Sequence, residues 1–575
     1  MKDTIKAVFP LVKNAFKSGQ IFNPKANVTN PIDDVHAEYD VKVLLSDSTH
    51  VLVNVFKSKK AMAEDRALPV VMCAHPYDNH NIAALKGDKN TPPSQYRIIN
   101  QNGRPTFSTQ TSWESPDPNF WVKNGYIVVN MNMPGYAGSE GQATTFRYNQ
   151  SKAYYEAINW VAAQEWCDGN VGLNGVSFLA ITQFHVAATK DYGYEAPDAL
   201  KCIVPWEGLT DAYRDIFCNG GIPQIGFPAF WYPLELKGTV TDDIQTFLDT
   251  EGGKPEHWAF KHPLFDEFWK EKQTPLEHIK VPILTCASFS DVGLHSGGAY
   301  RSFTDVASTQ KWMYMHRDGK WDKYYSSEVQ ALTLRFMDHF LKGKENGMDS
   351  VPPVHLEVQK DRTTVHEIRD EHEWPLARTQ YIPYFLGVSE ALQTDKAEQE
   401  MSVTYEAKKG ETSFSITFDE DTEITGHAKL KLFVSLEESS SNDIDLFAVL
   451  NKRDRSGNRV PFNGTVGNQQ DTLSRGYQRA SLRKLDEQKS TDIIPFLAFD
   501  EHQYLSENEV VELTIPFPPV SVFFEKGEAL ELTLSSHETY QSAPFFKRPD
   551  ANIDGKHRIH FGGQYDALLQ LPLIR

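Results

Sequence analysis

The chain is short of positive charge, of cysteine and of long apolar runs. Its 575 residues carry 58 Lys and Arg against 77 Asp and Glu, a net charge of −19. That balance argues against nucleic acid and anionic membrane surfaces as partners. No stretch approaches the roughly 18 apolar residues of a spanning helix. Near the N-terminus, Ile5, Val8, Phe9, Leu11, Val12 and Phe16 are too interrupted for a signal-peptide core, so a cytoplasmic location is expected. The five cysteines (Cys73, Cys167, Cys202, Cys218 and Cys286) are odd in number and lack CxxC spacing. They read as buried reduced thiols, not as a disulfide framework or metal ligands. The 19 histidines include no HExxH pattern, and residues 135–141 lack the context of a dinucleotide fingerprint. No metal and no organic cofactor is therefore expected. Internal repeats and low-complexity tracts are absent.

What is present is a change of rhythm along the chain. The length exceeds one core and implies roughly two to four domains. Residues 41–57 alternate apolar and polar around a Ser-Asp-Ser-Thr turn, as in an antiparallel hairpin at a sheet edge. Unbroken apolar runs follow at 70–74, 127–129, 202–204, 283–287 and 312–315, with helical patterns at 154–163 and 328–341 between them. That alternation predicts an α/β fold with a mostly parallel sheet covered on both faces. Residues 206–275, rich in Trp, Phe, Pro and Gly, interrupt it and read as an inserted, largely helical cap. The catalytic domain is then 1–205 with 276–350, and 351–380 reads as a linker. In 381–575 the helical period disappears and strand-like alternation takes over, predicting an all-β jelly-roll domain.

The chemistry is expected at Asn174-Gly175-Val176-Ser177-Phe178-Leu179-Ala180. Val171 and Leu173 suit a buried strand; Ile181, Phe184, Ala187 and Ala188 recur at helical spacing. A serine on such a strand-to-helix turn exposes its hydroxyl beside the free N–H of Phe178, the design of a nucleophile elbow. Its base and the orienting acid should follow at later strand ends, in the order acid then histidine. Asp291 lies four residues past the 283–287 run, and His316 directly follows 312–315. His295 competes for the base, since it too follows the Asp291 strand, and Asp291 could instead cap a helix. Tyr77, just past the 70–74 run, is either a second oxyanion donor or a packed aromatic.

These residues resemble the cocaine-esterase-like (CocE/NonD) and X-Pro dipeptidyl-peptidase family of serine hydrolases. The resemblance rests on Pro76-Tyr77-Asp78, on Glu165-Trp166-Cys167-Asp168-Gly169-Asn170-Val171-Gly172 leading into Gly175-Val176-Ser177, and on His316 followed by Gly319-Lys320-Trp321 and Tyr324-Tyr325. The segments 475–481 and 560–566 look like family signatures as well. The chain departs from the family in lacking an arginine at Pro134-Gly135-Tyr136-Ala137-Gly138-Ser139 and in carrying Ala180 where the elbow often has glycine. The resemblance implies an α/β-hydrolase sheet, a helical cap and a C-terminal jelly roll. It favours His316 over His295 and gives Tyr77 and the Phe178 amide to the oxyanion hole.

The expected activity is hydrolysis of an acyl ester through an acyl-enzyme on Ser177. The alternatives are an X-Pro dipeptidyl-peptidase, an α-amino-acid ester hydrolase, or a non-catalytic carbohydrate- or partner-binding protein. The substrate is a small acyl ester, amide or short peptide, with Trp206, Glu207 and Trp231 as candidate contacts. An X-Pro enzyme also needs carboxylates for the substrate ammonium, a role open to Glu207, Asp211 and Asp215, whose simpler reading is as solvated or helix-capping charges. A homo-oligomer is compatible with the sequence, which does not fix the oligomeric state.

Overall fold

The computed structural model describes residues 25–86, 89–99, 103–539 and 546–575. The interrupted apolar segment at the N-terminus lies outside these residues. Among them no helix is long and apolar enough to cross a membrane.

The main sheet runs Val35–Leu44, His50–Ser58, Ile127–Asn132, Leu68–His75, Cys167–Val176, Leu200–Trp206, Ile283–Ser288, Lys311–His316. The first two strands form the expected antiparallel edge hairpin, and from Ile127–Asn132 onward neighbours are parallel. Every residue of Leu68–His75, Ile127–Asn132 and Ile283–Ser288 is buried, as a sheet covered on both faces requires. Alternation splits the strand side chains between two cores. Val70 and Met72 join helices Tyr148–Ala162 and Phe178–Ala187, whereas Val71 joins Trp121, Phe336 and Met337 on the other face. Helix Ser327–Lys342 is closed at its start by the Ser326 hydroxyl, which accepts the Val329 N–H, and stops at Gly343 in the left-handed region.

Residues between Trp206 and Leu276 form short helices over the carboxyl ends of the strands, including π-helical turns at Tyr213–Phe217 and Tyr232–Leu236. The segment expected as a linker instead holds strands Val354–Gln359 and Val365–Glu371. The first pairs parallel with Lys311–His316, so the sheet continues without a break toward the C-terminal region. The segment is polar and contains proline, but Val354, Leu356 and Val358 are all fully buried in a six-residue strand.

The C-terminal region is all-β around its own core. One sheet centres on Ala529–Ser535 between Glu411–Thr417 and Asp445–Arg453. Facing it are Met401–Glu406, Lys556–Phe561, Lys429–Glu437 and Val511–Pro516. Leu430, Leu432 and Val434 meet Leu446, Leu450 and Leu532 in one apolar cluster, as alternating strands of packed sheets do. This domain also grips the catalytic one. Arg317 donates to the carbonyls of Asn463, Thr472 and Leu473, and the Thr465 hydroxyl reaches the carbonyls of Ser290 and Val292 on either side of Asp291.

Candidate active site

The site forms where the parallel strands end. Ser177 sits between strand Cys167–Val176 and helix Phe178–Ala187 with φ 60° and ψ −114°, a conformation an ordinary residue rarely holds. The turn needs small neighbours. A Cβ on Gly175 would lie 2.5 Å from Leu179 Cβ, and one on Gly208 would lie 2.8 Å from Ala180 Cβ. Ala180 therefore fits because the facing residue is itself a glycine. The strain is held by the Ser177 N–H donating to the Trp206 carbonyl and by the Thr182 hydroxyl donating to the Ala74 carbonyl.

Asp291 lies in the loop after Ile283–Ser288, as expected from its place in the chain. The histidine that joins it to the serine is His295. Ser177 Oγ is 3.1 Å from His295 Nε2, and His295 Nδ1 makes a short contact with Asp291 Oδ2. The Leu294, His295 and Ser296 N–H groups all turn back onto the Asp291 carbonyl, so one tight turn into helix Ser296–Thr304 presents both side chains. Nδ1 facing a carboxylate carries the proton, which leaves Nε2 to accept from the serine.

His316 is not at the serine. It is fully buried behind the site, with Nε2 3.2 Å from Glu207 Oε1 but without hydrogen-bond alignment. Its Nδ1 accepts the Asp318 N–H at 3.1 Å, and Trp206 stacks on its ring. Both nitrogens are thus engaged away from Ser177. What the stretch after Lys311–His316 delivers to the site is Lys320. Its Nζ lies 2.6 Å from Asp291 Oδ2, 3.0 Å from His295 Nδ1 and 3.7 Å from Glu207 Oε2.

Charges here follow from these contacts. Burial, then the Lys320 ammonium, pulls His295 down to about 4, against the opposing pull of Asp291. Burial alone would raise Asp291, but Lys320 and then His295 overcome it and hold the carboxyl low. Burial raises Glu207, with Lys320 and His316 opposing. Lys320 is held above its ordinary range although burial works against it, chiefly by Asp291 and Glu207. Glu207, Cys286 and His316 also bring ligand-type atoms within 4.8 Å of one another. They make a poor cradle for a cation, because the Lys320 ammonium already supplies positive charge beside Glu207.

The other predicted residues divide. Tyr77 follows Leu68–His75, packs edge-on against Phe178 at 5.8 Å, and accepts a 3.0 Å hydrogen bond from Trp231 Nε1. That bond occupies the phenol oxygen and leaves its O–H to donate. Trp231 stacks on Phe146 and lies beside Phe178, so the cap supplies an aromatic wall. Trp206 and Glu207 instead belong to the fully buried layer behind the strand ends. Asp211 is paired with Arg214 at 2.7 Å and Asp215 with Arg301 at 2.6 Å. Neither leaves a free carboxylate for a substrate ammonium.

Residues 47–319 match the model of the X-Pro dipeptidyl-peptidase (S15 family), and residues 346–570 that of the X-Pro dipeptidyl-peptidase C-terminal non-catalytic domain. The chain is 26% identical over 405 residues to the cocaine esterase of Rhodococcus sp. (strain MB1 Bresler), a match covering 62% of this chain and 63% of that esterase, less than two thirds of its length. A solved CocE/NonD family hydrolase from Staphylococcus aureus is 33% identical, with a TM-score of 0.85 over 96% of this chain and 98% of its own. An α-amino acid ester hydrolase shares the fold at 17% identity and a TM-score of 0.68, over 96% of this chain and 98% of its own. One-third identity over nearly the full length of both chains, with both regions matched by family models, makes this chain a member of the CocE/NonD and X-Pro dipeptidyl-peptidase family of serine hydrolases.

Proposed function

We propose that the protein hydrolyses small acyl esters through an acyl-enzyme on Ser177, with His295 as general base and Asp291 as its orienting acid. The observation that carries this reading is the 3.1 Å approach of Ser177 Oγ to His295 Nε2, with His295 Nδ1 turned onto Asp291. Ser177 Oγ adds to the substrate carbonyl as its proton passes to Nε2. The oxyanion takes hydrogen bonds from the Tyr77 hydroxyl and the Phe178 N–H, donors worth about 3–4 kcal/mol each. The His295 imidazolium then protonates the departing alkoxide. A water molecule, deprotonated by the same Nε2, releases the acid and restores the serine.

Ester cleavage is favoured over X-Pro peptide cleavage because Asp211 and Asp215 are held by arginines. One feature supports the peptide reading. Glu235, on the cap turn near Tyr77, has its carboxyl pushed up to about 8 by loss of solvent, and an ammonium beside it would ionise it.

The test is a panel of short-chain acyl esters, amides and dipeptidyl-Pro anilides with wild type and Ser177→Ala, alongside labelling by a fluorophosphonate. Ester turnover and labelling that both vanish in Ser177→Ala are expected. Turnover of the anilide without the ester reverses the substrate ranking. A folded wild type that neither labels nor turns over any substrate means a binding protein instead.

A further inference from the structure

A serine triad needs one carboxylate and one imidazole. This site buries a third ionic group against them. Lys320 Nζ touches Asp291 Oδ2 at 2.6 Å and His295 Nδ1 at 3.0 Å, and its side chain is 8% exposed. On its far side stands Glu207, fully buried, at the end of strand Leu200–Trp206 and in the left-handed region at φ 49°. That strained backbone aims the Glu207 carboxylate back toward Lys320 and His316, where a buried charge needs partners.

We propose that Lys320 is a positioning residue of the reaction: bridged between Asp291 and Glu207, it fixes Asp291 on His295 and keeps His295 an uncharged proton acceptor in acid, with Glu207 and His316 as the ledge that holds it. The inference rests on His295 being the base. Its physical basis is simple. A proton arriving on His295 creates a cation 3.0 Å from an ammonium, between buried groups, where such repulsion is weakly screened. The imidazolium is therefore formed reluctantly and gives its proton up readily to the leaving group.

Three segments supply the groups in contact with His295. Asp291 lies on its own loop, Ser177 on the elbow and Lys320 on the turn after Lys311–His316. Glu207 and His316 stand behind Lys320. Glu114, which accepts from Trp321 Nε1 at 2.9 Å, has its carboxyl pushed well up by burial, with Lys320 opposing. Among the described residues Asp291 is the carboxylate paired with the imidazole, and Lys320 sits on the same oxygen. The balance agrees with the drop of His295 to about 4.

The experiment measures the fluorophosphonate inactivation rate and ester kcat/KM between about pH 4 and 9 for wild type, Lys320→Met, Lys320→Arg, the double variant Lys320→Met/Glu207→Gln, and His295→Gln. Wild type should keep its reactivity well below pH 6. Lys320→Met should move the acid limb up by about one to two pH units, because removing the ammonium leaves Asp291 unopposed in stabilising the imidazolium. Lys320→Arg keeps the charge and should leave the limb in place while lowering the plateau. The double variant removes one cation and one carboxylate together, so it stays foldable if the single one does not, and should show the same upward shift. A limb unmoved in Lys320→Met or in the double variant, with His295→Gln inert, overturns the role of Lys320 alone. His295→Gln labelling at the wild-type rate overturns the assignment of the base instead.

Discussion

Two buried histidines stand close together at the strand ends, and only one can serve the serine. His295 is 3% exposed and His316 0%, and each lies against a carboxylate, Asp291 for the first and Glu207 for the second. Burial and an acidic partner are therefore no mark of a catalytic base. The difference is where the second nitrogen points. Nε2 of His295 opens onto Ser177, while His316 spends one nitrogen on Glu207 and the other on the Asp318 N–H. The front pair is turned onto the serine and the rear pair away from it.

The largest expected effect separates them by activity. His295→Gln should lower kcat for an acyl ester by about 10⁴–10⁶-fold, since it removes a group that acts as a unit with the serine. His316→Gln should stay within about tenfold, because the amide can still meet Glu207 and nothing in the transfer path is lost. Stopped-flow or steady-state ester hydrolysis by the two purified variants decides it. The reverse order would return the base to His316 and break the comparison.

A smaller effect lies at the oxyanion. Tyr77→Phe should lower kcat by about 10²–10³-fold with KM little changed, as befits a donor used only in the transition state. Trp231→Phe should cost less, because it frees the phenol oxygen from its 3.0 Å hydrogen bond without removing the donor. Equal losses from both variants would mean that Trp231 acts on the substrate directly, not through Tyr77.

Why the sequence led to His316, and not to the histidine that the structure places beside Ser177, is instructive. The sheet was legible because its strands are unbroken apolar runs, and the elbow because glycine, serine and small residues must sit at fixed places on it. Chain order left His295 and His316 both open, and the family resemblance favoured His316, which ends the next strand. Strand position fixes a residue's height in the sheet but not the direction of its side chain, and at His316 that direction leads away from Ser177. The missed signal was local. Asp291 and His295 are four apart at the entry to a helix, a spacing that brings two side chains to one face. Lys320 was visible as part of a motif, but its role depends on Asp291 and Glu207, contributed by two other strand ends. Such convergence is invisible to a reading along the chain. The strand Val354–Gln359 was missed for a related reason, since a partner besides the neighbouring strand Val365–Glu371 lies in the main sheet, far from it in sequence.

The rear pair should show itself in stability. His316→Leu removes the Nε2 contact to the buried Glu207 carboxylate and leaves Lys320, 3.7 Å away, as its charged contact among those described. Loss of a partner to a buried charge costs about 1–3 kcal/mol, more if the charge cannot relax. Urea unfolding should therefore show a lower midpoint with an unchanged slope. His295→Gln should unfold nearer to wild type, since an amide can still donate to Asp291, which also keeps Lys320. A His316→Leu protein as stable as wild type would mean that Glu207 needs no second partner, and the division of labour would fail on its structural side.

The smallest effect concerns carboxylates already spoken for. Asp211 is held by Arg214 at 2.7 Å and by Gln273, and Arg214 in turn lies over the rings of Phe265 and Phe496. An ammonium arriving in the site would have to displace a guanidinium fixed on both faces, which a single charge contact does not offset. Asp211→Asn should therefore leave the ratio of kcat/KM for a dipeptidyl-Pro anilide to that for an acyl ester within about twofold. Glu235→Gln, which alters a carboxyl on the cap turn near Tyr77, is the contrasting variant. If Asp211→Asn changes the ratio tenfold or more while Glu235→Gln does not, substrate amines are read at the arginine-paired carboxylates. The line drawn here between groups that hold the fold and groups that meet the substrate would then have to be redrawn at the cap.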